Sequence, residues 1–383
     1  MGKHGKKQNH HRRGARSTHY LEEEAGEQYP PAQEEHELPE DEEEEDDDEE
    51  EDTEIDNNSS ASTNDMPSKF MLYQQSVQSP KGDISYLQKF FLMYVGGRVP
   101  LHFQEDFCGT ALLSAEWLRG DARRTAVGLD LDLEALEWCM ENNVKKIGAD
   151  ISSRAFLFHG NVLQPLEARL VNAGTQDRVQ NINLKDGEHG SPDPKLMDAQ
   201  LPARDIVCAF NYSCCCLHTR PELVTYFRHA LSGLNKKGGI FVMDLYGGTS
   251  SECELRLQRK FPNFTYVWEQ TEFDIIKRKT RISLHFNLQN PKRKLRHAFS
   301  YSWRLWSLPE IKDCLEEAGF RCVHFWMRQM PDSEDIKSTY GFSAGQDIKY
   351  EEVTSFQQQD SWNAYINSRY TEFSSQDSLY TRT

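Results

Sequence analysis

The stretch Glu105-Asp106-Phe107-Cys108-Gly109-Thr110-Ala111 follows a short apolar run and precedes a segment with apolar residues at helical spacing. A short strand that turns at Gly109-Thr110 and continues as a helix is typical of the start of a βαβ unit. The glycine lets the backbone approach a ligand closely, and the turn opens a helix N-terminus. We therefore predict that this turn lies at the ligand-binding edge of a parallel sheet.

The alternation of strand and helix continues on the C-terminal side of this turn. Further strands are predicted over 125–129, 155–159, 205–210 and 240–245, and helices over 86–94, 111–119, 133–144 and 221–234. Alternating elements of this kind imply right-handed crossovers and a parallel sheet. The predicted fold class is therefore α/β, with a doubly wound, mostly parallel sheet.

The pattern changes after the fifth strand. Segments 265–273, 280–288 and 295–305 alternate with period two, which predicts an antiparallel add-on over 262–306. A helix follows over 308–318, with Ser307 as its cap and Gly319 as its stop, then a strand over 321–327 and a last short helix over 361–370. The ordered domain is predicted to span 66–373, with a surface insertion at 172–203 and a tail at 374–383.

The charge of the chain is concentrated at its start. Residues 1–65 contain 6 Lys or Arg and 23 Asp or Glu, so they carry the whole net charge of −17, and the remainder is formally neutral. This segment is basic first and acidic later, with almost nothing apolar to bury, so we predict a disordered tail. A neutral body gives no general field that would steer nucleic acid.

The cysteines and the hydropathy indicate the compartment. The chain has nine cysteines, an odd number, mostly within apolar segments, which favours reduced thiols in a cytoplasmic or nuclear protein. Adjacent residues Cys214-Cys215-Cys216 cannot easily place three sulfurs on one tetrahedral ion, so we interpret them as packed hydrophobes and expect no metal. No apolar run has the length of a membrane span, and no membrane partner is expected.

Polar side chains end the first three predicted strands. Glu105 ends the first, Asp130 the second, and Asn161 follows the third. In an open parallel sheet, ligands bind beyond the carboxyl ends of the strands, where the strand order reverses. Asp130 suits the hydroxyls of a ribose, Asn161 suits the amino group of adenine, and Glu105 either holds an ammonium or orders the turn. The series predicts a nucleoside cofactor.

A family resemblance rests on these residues. The stretch 103–132, together with Ala209-Phe210-Asn211-Tyr212 and the segment 238–244, resembles the class I S-adenosylmethionine-dependent methyltransferases. It is most similar to a poorly characterised branch whose first-strand signature reads Glu-Asp-Phe-Cys-Gly-Thr. The resemblance implies a Rossmann-like fold, S-adenosylmethionine as the cofactor, and methyl transfer as the activity.

The resemblance also implies roles for single residues. The acid that ends the first strand contacts the amino-acid part of the cofactor, and the acid that ends the second strand takes the ribose; Glu105 and Asp130 match them. Asn161 matches the residue that bonds adenine, although aspartate is usual there. The cofactor-binding residues implied in full are Glu105, Phe107, Gly109, Thr110, Asp130, Leu131, Asn161, Val162 and Asn211.

This chain departs from the family at the turn itself. The common Gly-x-Gly-x-Gly becomes Phe107-Cys108-Gly109-Thr110-Ala111, so only the middle glycine is kept. Phe107 places a bulky side chain where the family has none. A dinucleotide-binding site is less compatible with this turn, because a pyrophosphate needs the full set of glycines.

Residues after the fourth and fifth strands are predicted to line the acceptor site. They are Asn211, Tyr212 and Tyr246, with Asp244 as a further candidate; His218 is more typical of a structural or surface histidine. The add-on is rich in aromatic residues, which indicates either a packed sheet face or the wall of a pocket for a methylammonium-like acceptor. The predicted acceptor is a small molecule or a protein side chain.

Two other functions stay open. One is a cofactor-binding protein without catalysis, because no general base is obvious. The other is an RNA-associated methyltransferase, which the charged tail and the basic clusters 277–281 and 292–296 would suit. Against nucleic acid, Asn211-Tyr212-Ser213-Cys214 lacks the Asn/Asp-Pro-Pro-Tyr/Phe motif expected of an amino-directed base methylase. The acidic tail either solubilises the chain or binds a basic partner or the chain's own basic clusters.

Overall fold

The computed structural model describes residues 67–171, 201–289, 292–331 and 349–370. The predicted tails 1–65 and 374–383 lie outside these ranges, as does the predicted insertion 172–203 except for its last three residues. In the described ranges, no helix is both long enough and apolar enough to span a bilayer.

Eight α-helices and thirteen strands make up the described part of the chain. The helices are α1 Lys69–Val77, α2 Pro80–Tyr94, α3 Leu112–Arg119, α4 Leu133–Cys139, α5 Lys145–Ile147, α6 Ala149–Ser152, α7 Arg220–Gly233 and α8 Leu308–Ala318. The strands are β1 His102–Asp106, β2 Thr125–Asp130, β3 Ala155–His159, β4 Arg169–Leu170, β5 Ile206–Ala209, β6 Ile240–Gly247, β7 Leu255–Lys260, β8 Phe264–Gln270, β9 Lys279–Leu288, β10 Arg293–Arg304, β11 Cys322–Gln329, β12 Glu351–Val353 and β13 Trp362–Arg369. A π-helical turn, Met140–Val144, joins α4 to α5.

The main sheet has the order β12-β11-β13-β6-β5-β1-β2-β3-β4. The five strands β3, β2, β1, β5 and β6 pair in parallel, and β13 pairs antiparallel with both β6 and β11. The strand order reverses between β1 and β5, since β2 and β3 follow on one side of β1 and β5 and β6 on the other. The predicted α/β, Rossmann-like, mostly parallel fold is confirmed.

Two apolar cores lie on the two faces of this sheet. Successive residues of β2 alternate between them: Ala126 packs with α2, α3 and α4, and Val127 packs with α7 and α8. Because both faces are covered, β5 is apolar at every position, whereas β1 carries the polar residues His102, Gln104, Glu105 and Asp106. In the described residues, the helices therefore cover the two faces of the sheet and not the edge at the carboxyl ends of its strands.

The predicted antiparallel add-on is a separate four-stranded sheet of order β10-β9-β8-β7. It follows β6 along the chain, and Ile282, Leu284 and Trp303 join the core on the α7 and α8 face. The strand β7 was not predicted. Its side chains alternate between half-buried and exposed along the strand, the period-two pattern of a strand with one face covered. The add-on therefore begins at Leu255, before the predicted start at 262.

The helix predicted over 361–370 is wrong. This segment is β13, which lies between β6 and β11, and five of its eight residues are buried. Its sequence, Trp-Asn-Ala-Tyr-Ile-Asn-Ser-Arg, has no strong local preference, so pairing on both sides decides its conformation. The helix predicted over 308–318 is confirmed, with Ser307 in a capping box and Gly319 left-handed at φ 115°.

Candidate functional site

The turn after β1 has three left-handed residues in alternation. Phe107 has φ 56°, Gly109 has φ 51° and Ala111 has φ 45°. These are the three positions at which the family resemblance places glycine, so the backbone path is kept although two glycines are replaced. A left-handed L-residue costs about 1–2 kcal/mol, so the surrounding contacts must hold the turn.

The side chain of Phe107 has a defined place. Its ring packs edge-on against Tyr226 of α7, with the ring centroids 5.5 Å apart, and it contacts the core on that face of the sheet. The residue also forms part of the lining of the cavity described below. The bulk of Phe107 is thus accommodated mainly by the core under α7.

Asp130, at the end of β2, joins the turn to the neighbouring strand. Its Oδ2 accepts a hydrogen bond from the backbone N–H of Gly109 at 2.6 Å, and its Oδ1 accepts one from the N–H of Asp132 at 2.8 Å. Burial raises the pKa of this carboxyl. A carboxylate has about four acceptor positions, so Asp130 keeps acceptor capacity for two ligand hydroxyls.

Glu105 faces the start of α3. Its Oε2 accepts hydrogen bonds from the backbone N–H of Ser114 at 2.9 Å and from the hydroxyl of Ser114 at 2.6 Å. Burial raises its pKa to about 8. Of the two roles predicted for Glu105, these contacts correspond to ordering the turn and the helix that follows it.

Asn161 and Val162 follow β3. Asn161 Oδ1 accepts from the N–H of Leu163 at 2.9 Å, and the side chain of Val162 is buried in the core. Leu131, after β2, is 64% exposed. The structure thus places Leu131 at an open edge, whereas the Asn161 side chain is engaged in its own turn.

The loop after β5 is held by a second buried carboxylate. Asn211 and Tyr212 both have φ 59°, and their N–H groups donate to Asp244 of β6, at 2.9 Å to Oδ2 and 2.7 Å to Oδ1. Burial raises the pKa of Asp244 to about 8. These two adjacent left-handed residues lie at the carboxyl end of β5, beside the point where the strand order reverses between β1 and β5, and both line the cavity there.

Tyr246 and His218 lie behind this loop. The Tyr246 hydroxyl donates to Gln270 Oε1 at 3.3 Å, and its ring packs on Tyr212 with centroids 4.8 Å apart. His218 Nε2 bonds the carbonyl of Ser302 at 2.7 Å, and Lys279 Nζ donates to its Nδ1 at 3.0 Å. His218 therefore links the main domain to the add-on, a structural role.

A cavity of about 1230 Å³ opens at the point where the strand order reverses. The predicted residues that line it are Phe107, Gly109, Thr110, Asp130, Leu131, Asn211 and Tyr212, together with Asp244. Within the described ranges, the lining does not include Glu105, Asn161, Val162 or Tyr246. The structure thus brings the turn, the end of β2 and the end of β5 together, and leaves four predicted residues outside.

Aromatic side chains cover the rest of the cavity. The add-on contributes Tyr266, Trp268, Phe299, Tyr301 and Trp303, which belong to the segment predicted to be rich in aromatic residues. Two other aromatics of the add-on belong to the interior instead: Phe286 is fully buried, and Trp306 Nε1 donates to the carbonyl of Leu217.

Residues from the two ends of the domain were missed. Tyr73 of α1, Asp83 and Tyr86 of α2, and Tyr350 and Tyr365 near the C-terminus all line the cavity. The sequence offered no signal for Asp83 beyond an acid in the first turn of an aromatic helix, and Tyr365 was hidden by the wrong helix prediction. In the described part of the chain, no group of three His, Cys, Asp or Glu is placed to bind a metal.

The arrangement suits a cationic nucleoside ligand. The turn at Gly109 lets the backbone come close to a ligand, and the neighbouring carboxylate of Asp130 can accept hydrogen bonds from a ribose. Aromatic faces and buried carboxylates attract a positive charge. The cavity volume exceeds the roughly 300–1,000 Å³ of ordinary small-molecule sites.

Comparison with known proteins gives matches among solved structures only. No protein-family profile matches the chain, and no curated protein does. A structure of an S-adenosylmethionine-dependent methyltransferase from Clostridium acetobutylicum is 11% identical, with a TM-score of 0.48 over 77% of this chain and 95% of that one.

Two further structures are similar in the same degree. The CcbJ methyltransferase from Streptomyces caelestis is 12% identical, with a TM-score of 0.46 over 77% of this chain and 94% of that one. The sugar N-methyltransferase KedS8 from Streptoalloteichus is 12% identical, with a TM-score of 0.46 over 82% of this chain and 98% of that one. At these values the fold assignment rests on the strand order of the chain itself.

Proposed function

We propose that this chain is an S-adenosylmethionine-dependent methyltransferase that acts on a small molecule or a protein side chain. One observation carries the proposal. The left-handed turn 107–111 is joined through Gly109 to Asp130, and both open onto a large cavity where the strand order reverses. Ligands of open α/β sheets bind at that point.

The residues present fit the cofactor. Asp130 keeps free acceptor positions that can take the ribose hydroxyls, and the exposed side chain of Leu131 offers an apolar surface for the base. The aromatic and acidic lining suits the positive charge of the sulfonium. When bound, S-adenosylmethionine supplies an activated methyl group, so the hard chemistry belongs to the cofactor.

The chain contributes orientation and exclusion of water. Asn211 and Tyr212 stand on a loop that Asp244 fixes through two backbone hydrogen bonds, so an acceptor held there meets a rigid edge. Positioning of this kind supplies much of the rate of a two-substrate reaction. The aromatics of the add-on line the same cavity, where they would limit the access of water to the transfer site. The ring of Tyr212 packs against Tyr246, and its hydroxyl donates to Asn363, so both contacts hold its side chain.

Calorimetry with S-adenosylmethionine tests the cofactor site. We expect binding by the full chain and its loss on Asp130→Ala, because that change removes both the ribose acceptor and the bond that holds Gly109. Asp313→Ala, at an exposed position of α8, serves as the matched control and should bind normally. Undiminished affinity of the Asp130 variant would disprove the site.

Labelled methyl transfer into a cell extract tests the activity. The extract is fractionated into small molecules, protein and RNA after incubation with the chain and labelled cofactor. Label in the first or second fraction supports the proposal, and label in RNA would favour the RNA-associated alternative. Binding without transfer in any fraction would indicate a cofactor-binding protein without catalysis.

A further inference from the structure

We propose that Asp83, in the first turn of α2, binds the α-ammonium group at the amino-acid end of S-adenosylmethionine, the part that the resemblance assigns to Glu105. This proposal rests on the proposed function and assigns a residue to a part of its cofactor.

The helices α1 and α2 lie against the turn after β1. Gln74 Nε2 donates to the Thr110 hydroxyl at 2.7 Å, and the Thr110 hydroxyl lies 3.4 Å from Gln78 Oε1. The chain passes from Gln78 into α2, where the N–H of Asp83 donates to the carbonyl of Ser79, and both of these residues line the cavity. Asp83 is therefore one helical turn beyond the residues that contact Thr110.

Asp83 lines the cavity at the carboxyl ends of the central strands, together with Asn211, Tyr212 and Asp244. The hydroxyl of Tyr365, on β13 beside β6, donates a hydrogen bond to it. Asp83 therefore lies in the same cavity as the loop after β5. In agreement with this position, the negative charge of Asp83 adds to burial in raising the pKa of Glu105 and of Asp244.

The other buried carboxylates of the site each accept two hydrogen bonds from protein donors. Asp130 accepts from two backbone N–H groups, Asp244 accepts from two others, and Glu105 accepts from the N–H and the hydroxyl of Ser114. In the described ranges, Asp83 has a single side-chain hydrogen bond, from the Tyr365 hydroxyl to Oδ1 at 2.5 Å, and makes no ion pair. Its Oδ2 is the carboxylate oxygen available to a ligand.

The surroundings of Asp83 suit an ammonium group. Tyr365 packs against Tyr350, Tyr86 and Phe210, with ring centroids 4.4, 5.4 and 5.4 Å apart. Aromatic faces beside a desolvated carboxylate stabilise a cation.

A comparison of two ligands isolates this contact. S-adenosylhomocysteine carries the amino-acid end, and 5′-methylthioadenosine has the same nucleoside without it. Calorimetry should show that Asp83→Asn lowers the affinity for S-adenosylhomocysteine about tenfold or more, the usual loss for a charge-assisted hydrogen bond. The same variant should bind 5′-methylthioadenosine with unchanged affinity, which also shows that it is folded.

Two further variants complete the design. Glu105→Gln should leave the ratio of the two affinities unchanged. Asp130→Ala should lower the affinity for both ligands. If Asp83→Asn weakens both ligands equally, or weakens neither and instead raises the KM of an acceptor, the Asp83 proposal is overturned and the proposed function stands. If the unaltered chain binds neither ligand, the proposed function fails and the Asp83 proposal fails with it.

Discussion

At the level of single residues, the left-handed turn after β1 is held by side-chain contacts, because two of the three positions where glycine is usual carry other residues. Phe107 and Ala111 take left-handed conformations that glycine would adopt without strain. The ring of Phe107 packs on Tyr226, Ala111 is fully buried, and Asp130 holds Gly109 between them. The strain at two residues is therefore offset by packing and by one charge-assisted hydrogen bond.

Buried carboxylates at this edge predict an unusual pH dependence. Burial raises the pKa of Asp83 and Asp106 to about 6, and that of Glu105 and Asp244 to about 8. The native state then binds more protons than the unfolded state between pH 4 and 8, so the free energy of unfolding should fall as pH rises through this window.

The variant Glu105→Gln tests this at one residue. The amide oxygen can still accept from Ser114, but no charge has to be buried. We expect the free energy of unfolding to rise by about 1 kcal/mol or more at pH 9, since one pKa unit corresponds to about 1.4 kcal/mol, with little change at pH 4. Urea unfolding at both pH values measures this free energy, with Glu137→Gln, at an exposed position of α4, as the control. An equal effect at the two pH values would contradict the prediction.

At the scale of elements, the strand β13 brings the C-terminal part of the chain into the middle of the sheet. It pairs with β6 along its whole length and with β11 on its other side. It also carries Asn363, which accepts from the Tyr212 hydroxyl, and Tyr365, which donates to Asp83. A single strand thus completes both the sheet and one wall of the cavity.

Truncation distinguishes the contribution of this strand from that of the C-terminal residues beyond it. Removing residues 361–383 should abolish cooperative unfolding, because β6 and β11 lose their common neighbour. Removing 371–383 keeps every described strand and should leave the thermal midpoint unchanged. Circular dichroism during heating compares the two, and a cooperative transition in the shorter chain would show that β13 is dispensable.

At the scale of the whole molecule, charge and site are separated along the sequence. Residues 1–65 carry the entire net charge, whereas the cavity is lined by residues between Lys69 and Tyr365. The basic clusters of the add-on are partly committed to ion pairs, as Lys277 is with Asp274 and Arg278 with Glu252. The site should therefore work without the acidic segment.

Deletion of residues 1–60 tests this separation. We expect the affinity for S-adenosylmethionine and the thermal midpoint to stay unchanged at both low and high salt, since no described cavity residue is removed. Methyl transfer should be measured in parallel over the same range of salt. A gain in affinity or activity on deletion, present at low salt and absent at high salt, would instead show that the acidic segment binds the basic clusters.

The alternation of strands and helices from 102 to 245 could be predicted from the sequence, because the apolar periodicity and the turn residues are local signals. The same holds for the α8 helix, whose capping box and terminal glycine are local signals. The carboxylates Glu105 and Asp130 were also readable near the ends of their strands, although β1 extends one residue beyond the predicted end, to Asp106. Their partners were not, because side-chain direction depends on the residues that pack nearby.

Which of the predicted residues contact one another depends on the packing of elements that are distant in sequence. In the folded chain, Glu105 accepts hydrogen bonds from Ser114, and Asn161 accepts one from Leu163 in its own turn. Asp83 and Tyr365, from opposite ends of the domain, are joined by a hydrogen bond. The physical reason is that β13 has weak local preference and gains its pairing from strands more than 30 residues away in sequence. The turn 107–111 was visible in the sequence, but its left-handed path without two glycines is fixed by the contacts of Phe107, Asp130 and Ala111.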